Sequence, residues 1–98
     1  MTIEKTLKGS TLNVLLTGRL DTITAPQLEA ELKASLDGIT ELILDFQNLE
    51  YLSSAGLRVL LAAQKVMNRQ GTMTVMHASD TVHEIFEVTG FIDILTIA

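Results

Sequence analysis

The beginning of the chain alternates apolar and polar residues. The apolar-side positions of this alternation are Leu12, Val14, Leu16, Gly18 and Leu20. A period of two residues is typical of a β-strand with one apolar face. Gly9 and Ser10 directly precede this segment and indicate a hairpin turn. Residues 2–8 are therefore predicted to form an edge strand, with Ile3 and Leu7 facing inward.

Helical spacing of apolar residues follows in three segments. The first carries Ala25, Leu28, Leu32 and Leu36 and ends near Gly38. Thr24 and Gln27 fit a capping box at its start. The second runs from Ala55 to Arg69, with Leu57, Leu60, Leu61 and Met67 on one face and Arg58, Lys65 and Arg69 on the opposite one. The third is predicted over residues 80–89, with Gly90 as its C-cap.

Short apolar runs separate these helices. Residues 41–46 form a run that predicts a central, buried strand, and residues 72–77 and 94–97 predict two more. Strands that alternate with single helices indicate an α/β fold with a partly parallel sheet that opens with an antiparallel hairpin. At 98 residues, the chain is expected to form a single domain over residues 1–98.

The charge balance narrows the classes of partner. Seven basic against twelve acidic residues give a net charge of −5, which removes long-range attraction to nucleic acid or anionic lipid. No apolar run approaches the roughly 20 residues that span a bilayer, and the start of the chain lacks the apolar core of a signal peptide. We therefore expect a cytoplasmic protein without membrane insertion.

The residue types that carry metal and thiol chemistry are scarce. Cysteine is absent, which excludes disulfides, thiolate catalysis and cysteine-bound metals. The two histidines, His77 and His83, have no third ligand nearby in the sequence. No metal and no cofactor is assigned.

Two hydroxyl side chains stand where the second helix begins. Ser53 and Ser54 follow the polar stretch after the central strand. Serine is favoured at this position as an N-cap, because its side chain accepts a hydrogen bond from a free backbone N–H. The same free N–H groups and the helix dipole also favour a phosphate, so a serine there suits a reversible charge switch. Local chemistry leaves both interpretations open.

Gly56 is an unusual residue for the first turn of a helix. Glycine inside a helix costs about 1 kcal/mol relative to alanine. Either a partner approaches the backbone closely at Gly56, or the helix start packs tightly on the sheet.

Two segments at this spacing carry a family resemblance. The segments LDFQNLEYLSSAGLRVLL at 44–61 and GRLDTITA at 18–25 resemble the STAS domains of bacterial anti-sigma factor antagonists. The resemblance covers nearly the whole chain. It implies a four- or five-stranded sheet with helices mainly on one face. It also implies a binding module that, when unphosphorylated, binds an anti-sigma factor serine kinase and frees a sigma factor, with a phosphoserine phosphatase reversing the modification.

Anchored on Gly56 and Leu57, the family's pattern places the phosphoacceptor on Ser54, with Ser53 as the alternative. Ser53 stands where the family usually has Asp, and Ala55 replaces its second hydroxyl residue. Asp21 matches the family's acidic residue near the acceptor, and a turn aspartate bonding its own backbone is the structural alternative. The partner-binding surface implied by the resemblance comprises Asp21, Ser53, Ser54, Ala55, Gly56, Leu57 and Arg58.

Two other classes of function remain to be separated from this one. STAS domains also serve as non-phosphorylated accessory or scaffold subunits of lipid-transport or signalling assemblies. A serine hydrolase would need a histidine base and an oxyanion hole, and the loop shows neither a Gly-x-Ser-x-Gly elbow nor a histidine. No catalytic residue is assigned, and the chain is expected not to be an enzyme.

Overall fold

The backbone forms one five-stranded sheet and three α-helices. The structure, a computed structural model, describes all residues 1–98. In chain order the elements are β1 (Thr2–Lys8), β2 (Thr11–Leu20), α1 (Ala25–Ser35), β3 (Glu41–Leu52), α2 (Ser54–Gln70), β4 (Thr72–Met76), α3 (Asp80–Thr89) and β5 (Thr96–Ile97). A single 3₁₀ turn, Phe91–Asp93, joins α3 to β5. No helix is both long enough and apolar enough to cross a bilayer.

The strand order in the sheet follows the chain, β1-β2-β3-β4-β5. The first pair is antiparallel and the other three pairs are parallel. Crossovers between parallel neighbours are right-handed, so a sheet built in one direction receives all its helices on one face. The predicted fold, a mixed sheet with an N-terminal antiparallel hairpin and helices on one face, is confirmed.

The hydrophobic core lies between that face and the helices. Alternate residues of the central strands are fully buried, among them Leu16 in β2 and Leu44 in β3. Leu28 of α1 and Leu60 of α2 are also fully buried against them. Phe86 of α3 packs on Phe46 of β3 with ring centroids 6.3 Å apart. The opposite face of the sheet carries the polar and half-buried residues of the same strands.

The central strand is longer than predicted. The prediction that it ends at residue 46 is wrong, because β3 continues to Leu52 and pairs with the end of β2. Two register irregularities interrupt this pairing, beside Thr17 and beside Arg19. A bulge adds one residue to one strand and breaks the alternation of the sequence. This extension carries the chain directly to the start of α2.

Ile3 and Leu7 pair with the buried Leu16 and Leu12, so both lie on the core face of the sheet as predicted. Leu7 is nevertheless 62% exposed, because it lies two residues beyond Lys5, which already contacts Ser35 at the end of α1. The capping box predicted at the start of α1 is wrong. Thr24 makes no side-chain cap bond. Its Oγ1 instead donates to the carbonyl of Arg19 at 2.7 Å, which holds the loop after β2. The last strand exists but is shorter than predicted and begins only at Thr96.

Candidate functional site

The candidate site lies where β2 ends and α2 begins. Because β2 and β3 are parallel, their carboxyl ends meet at the same edge of the sheet. The backbone N–H of Ser53 donates to the carbonyl of Leu20 at 2.9 Å. This bond holds the serines at the start of α2 beside the loop that follows β2. The fold therefore brings together the two segments that the sequence singles out.

Ser53 occupies the N-cap position of α2, but its side chain does not cap the helix. Its carbonyl accepts the first helical bond, from Leu57 N–H at 3.0 Å. Its Oγ makes no cap hydrogen bond, is buried, and has no hydrogen-bond partner in the protein. The capping interpretation therefore holds for the backbone of Ser53 and fails for its hydroxyl.

Ser54 is the first residue of α2, and it is exposed to solvent. The amide groups of the first helical turn have no partners inside the helix, and the positive end of the helix dipole lies here. A helix of 17 residues gives this terminus a full dipole. The Ser54 side chain thus stands at a position that accommodates added negative charge.

The next four residues divide between surface and core. Gly56 is buried, and a Cβ at this position would lie 2.6 Å from Leu52 Cδ1 and 2.8 Å from Leu20 Cγ. The structure thus supports the packing interpretation of Gly56: the missing side chain lets α2 start directly on the ends of β2 and β3. Leu57 is buried as well, whereas Arg58 is exposed. Ala55 is half-buried.

Asp21 organises the loop between β2 and α1. Its Oδ1 accepts hydrogen bonds from the backbone N–H of Ile23 at 3.0 Å and of Thr24 at 3.1 Å. The Thr24 backbone bond is the main cause that lowers the pKa of Asp21 below its usual 3.8, and the bond from Ile23 and the charge of Arg19 add to it. The interpretation of Asp21 as a turn aspartate that bonds its neighbouring backbone is confirmed. The carboxylate remains charged near neutral pH.

An exposed cation and an aromatic ring, which the sequence patterns do not predict, flank the same edge. The guanidinium of Arg19 lies over the ring of Tyr51, 4.4 Å from the centroid. The two residues are register partners in β2 and β3. Each stands two residues before a predicted site residue, Asp21 and Ser53 respectively. This equal spacing is the one sequence feature that points to the pairing of Arg19 with Tyr51. The register irregularities between β2 and β3 obscure it.

A shallow depression separates the loop from the helix. Its walls include Thr22, Ala25, Pro26, Ala55 and Arg58. It therefore has one side from the loop and α1 and another from the start of α2. The depression adjoins the serine pair without enclosing it.

The histidines are engaged elsewhere. His77 Nδ1 lies 2.9 Å from Asp45 Oδ1, and His83 Nδ1 lies 3.0 Å from Glu87 Oε1. Neither histidine hydrogen-bonds to Ser53 or to Ser54. Nor does the structure group three or more His, Cys, Asp or Glu side chains as metal ligands. What the edge does offer is an exposed hydroxyl on a helix terminus beside a rigid, charged loop.

Sequence comparisons relate the chain to regulatory proteins. A family model described as Mlab, STAS domain, matches residues 3–96. A protein of Bordetella bronchiseptica that carries the name anti-sigma factor antagonist BtrV is 42% identical over 85 residues, which are 85% of this chain and 73% of that protein. The anti-sigma-B factor antagonist of Staphylococcus aureus is 29% identical over 97 residues, 97% of this chain and 90% of that protein.

Solved structures show the same fold. The anti-sigma factor antagonist SpoIIAA in its unphosphorylated form superposes with a TM-score of 0.85 at 21% identity, over 99% of this chain and 88% of that one. The phosphorylated form of SpoIIAA, a cell fate determinant of Bacillus, gives a TM-score of 0.77 at 20% identity, over 99% and 91% of the two chains.

Proposed function

The chain belongs to the STAS domain family and is an anti-sigma factor antagonist, and on this premise we propose that it is switched by phosphorylation of Ser54. In the unphosphorylated form it binds a serine kinase of the anti-sigma type and thereby frees a sigma factor. The phosphorylated form releases the kinase, and a phosphoserine phosphatase reverses the modification. The chain is thus a substrate and a binding partner, not an enzyme, and acts in the bacterial cytoplasm.

The difference in exposure between the two serines carries the assignment of Ser54. Ser54 is exposed, whereas Ser53 Oγ is buried. A kinase must place the acceptor oxygen in line with the γ-phosphate of ATP, which an enclosed hydroxyl does not permit. The observation supports Ser54 over the alternative Ser53. Phosphorylation of Ser54 requires no rearrangement of α2.

The domain itself tolerates the added charge. A phosphoserine carries about −1.5 to −2 charges at neutral pH and is stabilised by the free N–H groups and dipole of a helix N-terminus. Asp21 lies in the adjacent loop and opposes the new charge, but Ser54 is exposed and Asp21 is only half-buried, so water screens their repulsion. The fold should therefore change little, in keeping with a relative whose phosphorylated form has been solved with the same architecture.

The complex does not tolerate that charge. At an interface, an unmatched buried charge costs several kcal/mol. A loss of about 2.7 kcal/mol already weakens binding roughly a hundredfold. The remaining residues of the proposed partner surface contribute in two ways. Asp21, Ala55 and Arg58 offer surface at this edge, while Gly56 and Leu57 hold α2 in place from the core.

The test compares charge at two helix N-termini. The N-cap Ser79 of α3 is exposed like Ser54 and serves as the matched control. Ser54→Asp should bind the kinase about 10- to 100-fold more weakly than wild type, since aspartate carries one charge and has a different shape. Ser79→Asp should bind like wild type. Mass spectrometry after incubation with kinase and ATP should place phosphate on Ser54 and find none in Ser54→Ala.

Two results would contradict the proposal. Phosphate found only on Ser53 would mean that the acceptor is misassigned. Equal affinities of wild type and Ser54→Asp, in proteins with equal thermal stability, would leave the non-phosphorylated accessory or scaffold subunit as the better account.

A further inference from the structure

We propose that Ile23 is a hydrophobic anchor of the partner interface and fits an apolar pocket on the anti-sigma factor kinase. The inference rests on the proposed function and adds a specificity-determining residue to it. Its basis is a side chain presented to solvent by a rigid loop next to the phosphoacceptor.

Ile23 is the most exposed large apolar side chain of the protein, at 86% of its surface. Single exposed apolar residues are common and need no explanation by themselves. Val88 on α3, for example, is 77% exposed. The exposure of Ile23 is therefore not sufficient evidence for an anchor. The evidence is the conformation of the loop and its position beside the phosphoacceptor.

Hydrogen bonds within the loop hold the backbone of Ile23 in place. Its backbone N–H is bonded to the Asp21 carboxylate at 3.0 Å. Thr24, the next residue, is fixed on both sides: its hydroxyl donates to the Arg19 carbonyl and accepts from the Asp21 N–H at 2.9 Å. Ala25 N–H bonds to the Asp21 carbonyl at 2.8 Å. An anchor that is ordered before binding avoids the entropy cost of ordering the loop in the complex.

The loop that carries Ile23 adjoins the surface of the phosphoacceptor. Thr22, the residue before it, lines the depression whose opposite wall is formed by Ala55 and Arg58 at the start of α2. The bond from Ser53 N–H to the Leu20 carbonyl fixes the two walls relative to each other. A kinase that reaches Ser54 from solvent therefore also covers this loop.

The surroundings have the composition of an interface hot spot. Arg19 and Tyr51 stack at the same edge, and both are exposed. Arg and Tyr are enriched among the residues that dominate binding, and the contacts around such residues exclude water. Burial of one isoleucine side chain is enough to change affinity about 10- to 100-fold.

The test measures binding to the purified serine kinases of the anti-sigma type from the source organism, each loaded with ADP, by calorimetry. Ile23→Ser should weaken binding about 10- to 100-fold. Ile23→Val should restore most of the affinity, because it keeps the apolar, β-branched shape. Val88→Ser, the matched control on α3, should bind within twofold of wild type. With ATP, Ile23→Ser should raise the KM for phosphorylation and leave kcat unchanged, since Ile23 does not touch the acceptor.

The outcomes separate this inference from the proposed function. If wild type binds a kinase and Ile23→Ser binds it equally well, the anchor is wrong and the switch stands. Equal losses in Ile23→Ser and Val88→Ser also overturn the anchor, because they indicate a non-specific effect of surface polarity. If wild type binds none of the kinases, the proposed function fails and the anchor fails with it.

Discussion

Replacing Ser53 by alanine should not destabilise the protein, although Ser53 is the N-cap of a 17-residue helix. An N-cap serine usually stabilises a helix by about 1 kcal/mol, because its hydroxyl accepts a bond from a free N–H. The Ser53 hydroxyl makes no such bond and is buried without a partner in the protein. The variant therefore loses no hydrogen bond.

The magnitude follows from what the hydroxyl gives up on folding. A buried polar group left without a partner costs about 1 to 3 kcal/mol of desolvation. Alanine removes this cost and leaves a cavity of about one oxygen atom. We expect Ser53→Ala to be neutral or stabilising by up to about 1 kcal/mol.

Ser79 supplies the matched comparison. It caps α3 in the usual way, with its side chain accepting from Val82 N–H. Ser79→Ala should lose about 1 kcal/mol. Urea unfolding measures both variants, with an unchanged slope showing that only stability has changed. In thermal melts, 1 kcal/mol corresponds to about 4–8 °C for a domain of this size. If Ser53→Ala loses as much as Ser79→Ala, the Ser53 hydroxyl does cap α2 in solution, and the reasoning is wrong.

Two further variants test the fold and the loop. Gly71→Ala should destabilise the protein by about 1–3 kcal/mol or more in urea unfolding. A Cβ at residue 71 would lie 1.8 Å from the carbonyl oxygen of Thr40, and the Thr72 N–H holds this oxygen in place. A stability equal to that of wild type would contradict this packing. Asp21→Asn tests the lowered pKa of Asp21. A carboxyl group whose pKa is lower in the folded state than its unfolded value of 3.8 stabilises the protein at pH values above 3.8. This stabilisation is lost as the pH falls through the pKa of the folded state. The melting temperature of wild type should therefore exceed that of the variant at neutral pH, and the difference should shrink in acid. A difference that does not depend on pH would contradict the lowered pKa of Asp21.

Much of the fold can be predicted from local sequence patterns. The alternation before Leu20 predicts β2, and apolar spacing predicts the three helices. Gly9 and Gly90 mark a turn and a C-cap, and both adopt positive φ, of 60° and 79°. The order of these elements leads to a mixed sheet with an opening hairpin. Patterns of this kind are visible because each element faces the core along one regular side.

The site was predicted in part. Residue types and spacing place Ser53 and Ser54 at a helix start, and the family resemblance points to one of them as the acceptor. Local chemistry does not say which hydroxyl is exposed. That depends on how closely α2 packs on the ends of two strands, and Gly56 sets this distance.

The sequence by itself determined the kinds of element, their order, and the segment that carries the serines. Only the tertiary structure decided that β3 runs on to Leu52, that Arg19 stacks on Tyr51 and that Ile23 projects into solvent. The physical reason is common to all three. Strand irregularities, cross-strand pairs and loop exposure depend on contacts between residues far apart in the chain, and such contacts leave no periodic pattern in the sequence around them.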